Sequence, residues 1–312
     1  MDIQKLSSFR KVSAFVIGLI VTTAAPFTVA QVSFTKDQPV FPAFEGWREN
    51  PDGTFSFMFG YFNNNWKQSP DIPVGENNFF SPGDLDRGQP THFQPRRNRF
   101  VFEVVVPADW GDKELVWSLN VNGYEHKAYA TFNKAYVVDN MLIASESGSL
   151  GIGTSSPESR INVPPVLEII GDDIRTARVG ESITLKSRVT DDGLPKVPPT
   201  VPIQEEELVQ RMLTPEHKPA VGKINGLHLS WQVYRGPGDG VSFDPPQTKV
   251  WEDTRFGANS PWAVFWAPPV LPENGEIEVT ATFAKPGTYV LWGRADDGGL
   301  YHDGYITVKV SP

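Results

Sequence analysis

The chain contains no cysteine. That excludes disulfide scaffolds, thiolate zinc sites, cysteine nucleophiles and lipidation at an N-terminal cysteine. Positive charge is also scarce: 28 Lys and Arg face 37 Asp and Glu, for a net charge of −9. A non-specific nucleic-acid binder needs a basic field to release phosphate counterions, so nucleic acid is not an expected partner. The five histidines, His92, His126, His217, His228 and His302, form no His-Glu-x-x-His pattern. Each reads as a surface or hairpin residue. There is no Gly-x-Ser-x-Gly nucleophile elbow. Carboxylate pairs for glycoside hydrolysis are set by space rather than by sequence spacing, and nothing selects one here.

What the chain does have is length and aromatic rings. Its 312 residues fit two domains, each long enough to bury a core. Twenty Phe, nine Trp and eight Tyr accompany 27 Gly and 28 Pro, a mixture suited to short strands joined by turns. The N-terminus reads as an export signal. Lys5, Arg10 and Lys11 precede the uncharged apolar run Val12–Ala25, and Thr28-Val29-Ala30 supplies small residues for cleavage. The run is short of the ~20 residues of a membrane span, although an uncleaved anchor is the alternative. Cleavage after Ala30 leaves a chain starting at Gln31, with no transmembrane segment, in the periplasm or outside the cell.

Strand signals then fall into two groups. In residues 31–145, Phe55, Phe57, Phe59 and Tyr61 alternate after the turn Asn50-Pro51-Asp52-Gly53. Phe100–Val106 and a hairpin of 114–120 with 124–132 about Asn122-Gly123 follow. The stretch from Asn63 to Asn98 has five prolines and no period, so it is either functional or an ordered surface loop. Its arginines Arg87, Arg96, Arg97 and Arg99 are expected to pair with the acidic second domain or to hold an anionic ligand. Residues 146–165 read as a Gly/Ser/Pro-rich linker. Residues 166–312 contain six further strands: 182–189, 227–234, 240–243, 276–283, 288–294 and 304–310. Two insertions interrupt them. One, 194–225, carries a short helix-forming run at 205–213; the other, 251–273, is aromatic-rich. The expected fold is all-β, two β-sandwich domains in tandem.

Four stretches of the second group carry a family likeness: Leu185–Pro195, Leu229–Gly238, Val241–Pro245 and Ala281–Gly298. With them, residues 166–312 resemble the immunoglobulin-like domains of PKD (polycystic kidney disease) type found in exported bacterial proteins. The resemblance implies a fold and says little about a ligand. In such a sandwich a strand-C Trp packs between strands B and F, which places Trp231 against Leu185 and Leu291. Tyr289, two residues before Leu291, matches a tyrosine corner, whose hydroxyl bonds an upstream backbone group.

Two features suggest chemistry. Asp191-Asp192-Gly193 ends strand B and Asp296-Asp297-Gly298 ends strand F, with Asp303 close behind. The B–C and F–G loops share one end of a sandwich, so these carboxylates are candidate calcium ligands, since Ca²⁺ takes six to eight oxygens. Asp-Gly pairs also make turns unaided, and Arg294 and Lys196 balance the charge without metal. Trp251, Trp262 and Trp266 either cover a sheet edge or form a sticky platform. The expectation is an exported, non-catalytic binding, adhesion or scaffolding protein whose ligand is an extracellular protein or a glycan. The alternative is a carbohydrate-binding accessory protein using the Trp-rich loops; an unrecognised hydrolase is less favoured.

Overall fold

The computed structural model describes residues 36–65, 67–146, 157–196, 221–223, 226–247, 264–266 and 271–312. The described residues belong to one compact unit. Its first part has six strands, β1 (Val40–Glu49), β2 (Phe55–Asn63), β3 (Asn78–Ser81), β4 (Arg96–Val106), β5 (Leu115–Val121) and β6 (Tyr124–Ala130). They make two antiparallel sheets, ordered β1-β2-β4 and β3-β5-β6. The core between them is aromatic. Phe59 stacks on Phe102 at 5.4 Å and meets Trp117 edge-on at 6.1 Å, while Phe80 stacks on Trp117 at 5.9 Å. Such pairs contribute ~0.5–1.5 kcal/mol each beyond the burial of their area.

Strand β1 carries Pro42 and Gly46, which break any alternation in its sequence. Both have structural reasons. As an edge strand, β1 can lack the ladder donor that proline removes. Gly46, at φ +134°, sits at a bulge, and a Cβ there would lie 2.3 Å from Val138 and 2.4 Å from the Tyr136 carbonyl. The segment after β2 is ordered by amide side chains with no exposure, which replace the missing ladder bonds. Asn63 donates to the carbonyls of Gln68 and Phe93 at 2.8 and 2.9 Å. Asn78 donates to Ile72 and Pro90 at 3.0 and 2.8 Å, and its oxygen accepts the Trp117 indole N–H at 2.9 Å. A buried backbone group must be paired, and here side chains do the pairing.

Two short helices follow, α1 (Asn140–Glu146) and α2 (Pro157–Ile161). Asp139 caps α1 by accepting the Leu142 N–H at 2.7 Å. Helix α2 begins at a proline, whose missing N–H costs nothing there, and it lies within the stretch expected to be linker.

The second part contains β7 (Val166–Ile170), β8 (Ile174–Arg178), β9 (Ser182–Thr190), β10 (Val221–Lys223), β11 (His228–Arg235), β12 (Val241–Asp244), β13 (Val264–Trp266), β14 (Glu276–Phe283), β15 (Gly287–Asp296) and β16 (Tyr301–Ser311). One sheet runs β12-β14-β9-β7, the other β11-β15-β16-β8, and β10 and β13 form a separate parallel pair. With β9 as strand B, β11 as C and β15 as F, this is the A-B-E-D and C-F-G arrangement of an immunoglobulin-like sandwich. The edge strand A is split. Its first half, β7, is antiparallel to β9, and its second half, β8, crosses to run parallel to β16.

Trp231, Leu185, Leu291 and Tyr289 are all fully buried in one cluster between these sheets. The indole lies over Gly293 on the neighbouring strand, where a Cβ would sit 3.0 Å from its ring. The Tyr289 hydroxyl donates to the Lys285 carbonyl at 2.7 Å, tying the entry of β15.

Candidate ligand site at the junction of the two sandwiches

The two sandwiches meet through β11 and the β15–β16 loop on one side and the loop after β2 on the other. The Tyr234 carbonyl accepts the N–H groups of Thr91 and His92 at 3.0 and 3.2 Å. The Tyr234 hydroxyl donates to the Gly88 carbonyl. Arg235 grips Asp86 through two bonds of 2.7 and 2.9 Å and donates to the Gln89 carbonyl at 2.8 Å. That guanidinium holds the Asp86 carboxyl below its ordinary value. Gly238 donates to Asp71, which also pairs with His92 at 2.7 Å. A Cβ on Gly238 would fall 2.2 Å from the His92 ring, so glycine alone allows this approach.

Arg294 has no exposure at the junction. Its Nε and one terminal nitrogen donate to the two oxygens of Asp303 at 2.6 and 2.7 Å. The same terminal nitrogen donates to the Phe100 carbonyl of the first sandwich at 2.7 Å. The guanidinium stacks 3.7 Å above the Tyr301 ring and 4.6 Å from that of Trp292. Tyr234, Trp292 and Leu300 belong to the same apolar cluster as the core of the first sandwich.

Beside this contact lies a cleft of about 640 Å³. Phe100, Phe102, Arg48 and Glu103 line it from the first sandwich, and Tyr234, Tyr301, Asp303 and Tyr305 from the second. Tyr305 is 40% exposed, yet its ring meets that of Tyr234 at 5.3 Å and 66°, which fixes its orientation. Burial pushes the hydroxyls of Tyr301 and Tyr305 up, so both remain protonated donors. Arg48 pairs with Glu103 at 2.8 Å. The Nδ1 of His302 accepts the Leu167 N–H at 3.1 Å, so that nitrogen carries no proton.

The five acidic residues considered for calcium are engaged locally. Asp191 and Asp192 accept the N–H groups of Gly193 and Leu194 at 2.8 Å, and Asp192 also accepts that of Val163 at 3.2 Å. Asp296 accepts from Gly298 at 2.7 Å. Asp297 accepts from Gly299 and Leu300 at 2.6 and 2.7 Å and from the Asn162 amide at 3.1 Å. Burial pushes the Asp297 carboxyl up to about 7, with a further contribution from Asp296. Asp303 serves Arg294 instead. Among the described residues no three His, Asp or Glu side chains are grouped as a metal would need. Trp251 and Trp262 lie outside the described residues, as do the side chain of Trp266 and the run 205–213.

Two expectations are corrected. Two of the four arginines, Arg97 and Arg99, lie on β4 and pair with carboxylates outside the acidic second sandwich. Arg97 pairs with Glu45 at 2.7 Å and Arg99 with Glu146 at 2.6 Å, because these carboxylates stand on β1 and α1 beside β4. The charged contacts across the junction run the other way, from Arg235 and Arg294 of the second sandwich. Likewise His92 and His228 are buried rather than superficial, His92 because its loop is covered by the Gly238 turn. The junction residues Tyr234, Arg235, Tyr301 and Tyr305 were not singled out from sequence. The one available signal was Arg294, a charge inside the otherwise apolar run Val290–Ala295 with Asp303 paired opposite.

No family model matches this chain, and no curated protein matches it. Among solved structures, a conjugative transposon lipoprotein from Bacteroides eggerthii is similar over 46% of this chain and 96% of its own, at 10% identity and a TM-score of 0.25. The N-terminal eight immunoglobulin domains of Down syndrome cell adhesion molecule are similar over 87% of this chain and 27% of theirs, at 10% identity and 0.24. The adhesin InvE of Yersinia pseudotuberculosis is similar over 87% of this chain and 58% of its own, at 10% identity and 0.22. Likeness at these scores carries no argument about fold or activity. The fold assignment stands on the strand order and register described above.

Proposed function

We propose that this chain is an exported, non-catalytic binding protein that serves adhesion or scaffolding in the periplasm or at the cell exterior. In this reading residues 1–30 are removed on export, 31–145 and 166–312 are its two domains, and the second is of PKD type. The observation that carries the reading is the junction. Arg235, Arg294 and Tyr234 lock two sandwiches into one body, and the cleft they leave takes its walls from both. A surface built from two domains at once is a common setting for ligand recognition. Among the described residues no helix is long and apolar enough to cross a membrane, which is compatible with release after export.

The test has two arms. The first is fractionation of producing cells with mass measurement of the mature N-terminus. A chain beginning at Gln31 outside the cytoplasm supports the reading, and an intact leader in the cytoplasm overturns it. The second is incubation of the bead-coupled mature protein with purified envelope fractions of the same cells. Saturable retention supports a binding role, and its absence from every fraction removes that role.

A further inference from the structure

The charges around the cleft cancel in pairs. Arg48 is matched by Glu103, Arg294 by Asp303 and Arg235 by Asp86. His302 adds no charge while its Nδ1 accepts the Leu167 N–H. An ionic ligand would therefore meet no unbalanced opposite charge, and would have to break one of these pairs to find one. Hydrogen-bonding capacity nevertheless remains. A carboxylate has about four lone-pair sites, and each oxygen of Asp303 is used only once by Arg294. The ligand that fits is uncharged and rich in hydroxyl donors.

The apolar part of the wall adds the second requirement. Tyr305 offers a partly exposed ring held in place by its edge contact with Tyr234. A pre-fixed aromatic side chain provides contact area at little cost in conformational entropy. A molecule that presents flat C–H faces and a rim of hydroxyl groups meets both conditions. The volume lies within the range of about 300–1,000 Å³ typical of small-molecule sites.

We propose that this cleft binds a neutral saccharide, with the Tyr305 ring as its stacking platform and the carboxylates of Glu103 and Asp303 as acceptors of its hydroxyl protons. The proposal rests on the binding role given above and names the ligand class of that same site. It places recognition at the junction rather than on the Trp-rich insertion.

The test is an array of neutral and acidic glycans probed with the intact mature protein, followed by titration with soluble maltotriose, cellotriose and tri-N-acetylchitotriose. At least one neutral glycan should be retained. Tyr305→Ala should weaken its binding at least tenfold with the melting temperature unchanged, and Tyr305→Phe should keep it within a few-fold. If Tyr305→Ala lowers the melting temperature, Glu103→Gln becomes the informative variant, and it should weaken the same glycan. Retention confined to acidic glycans, retention of none, or a neutral glycan indifferent to both variants overturns the proposal. If envelope fractions hold the protein while every neutral glycan fails, the saccharide assignment falls and the broader binding role stands.

Discussion

Each sandwich has one tryptophan with no exposure at all, and the two treat it differently. Trp117 of the first sandwich sits among Phe59, Phe80, Phe93 and Phe102, and its indole N–H is bonded to the buried Asn78 oxygen. Trp231 of the second sits among Leu185, Leu291 and Tyr289, and its indole N–H has no hydrogen-bond partner among the described residues. The first indole is thus part of a polar network that orders a long loop. The second fills space. One core couples packing to loop structure, and the other is governed by volume alone.

The largest expected effect follows from that contrast. Trp117→Ala removes a large aromatic, which costs ~3–5 kcal/mol, and also strands the Asn78 oxygen, a further ~1–3 kcal/mol. Trp231→Ala should cost only the first amount. The pair Trp117→Phe and Trp231→Phe sharpens the difference, because only the former leaves a buried acceptor unpaired. Urea unfolding midpoints should rank Trp117→Phe clearly below Trp231→Phe, and equal midpoints would remove the distinction between the two cores. Next in size is Arg294→Met. Removing one partner of a buried ion pair costs ~3–5 kcal/mol, and here it also severs the bond to the Phe100 carbonyl across the junction. Proteolysis between the sandwiches should accelerate in this variant, whereas in Trp231→Phe it should not.

The same contrast explains what could be read from the sequence. Six strands of the second sandwich were visible because alternation and turn chemistry govern them, and the likeness to PKD-type domains placed Trp231 and Tyr289, but the split edge strand β7 and β8 was not read. β1 was not visible, since Pro42 and Gly46 interrupt its pattern for reasons that exist only in three dimensions. The loop order imposed by Asn63 and Asn78 leaves no periodic trace, because an amide that bonds carbonyls many residues away looks like any turn asparagine. The cleft was the least legible part. One ion pair beside it, Arg235 with Asp86, joins residues that lie far apart in sequence and meet only when the two sandwiches dock.

The acidic turns permit a test of the second sandwich by pH. Burial pushes the Asp297 carboxyl up to about 7 in the folded chain, from the 3.8 ordinary for an aspartate. Between those values the folded state holds a proton that the unfolded state has lost. Stability should therefore fall as pH rises from about 4 to 7 and stay level above that. The full window is worth up to about 4 kcal/mol by the usual conversion of pKa difference to free energy. Asp297→Asn keeps an oxygen for the Gly299 and Leu300 N–H groups and removes the titration. The wild-type minus variant difference in unfolding free energy should carry the slope. A difference independent of pH would show that this carboxyl is not held protonated by the fold.

The smallest effect concerns the corner of β15. Tyr289→Phe deletes only the hydroxyl that bonds the Lys285 carbonyl, and one such hydrogen bond contributes about 0.5–1.5 kcal/mol. The ring stays packed against Phe283 at 4.8 Å, so the core keeps its volume. Because the bonded segment leads directly into β15, which carries Leu291 and Arg294, the loss should be felt at the junction as faster amide exchange along β15. Hydrogen exchange resolved by residue would detect it. If β15 exchanged unchanged while stability fell, the corner would be a local staple of the second sandwich with no influence on the cleft. If both moved together, the hydroxyl of Tyr289 would help set the geometry in which Arg294 reaches across to the first sandwich.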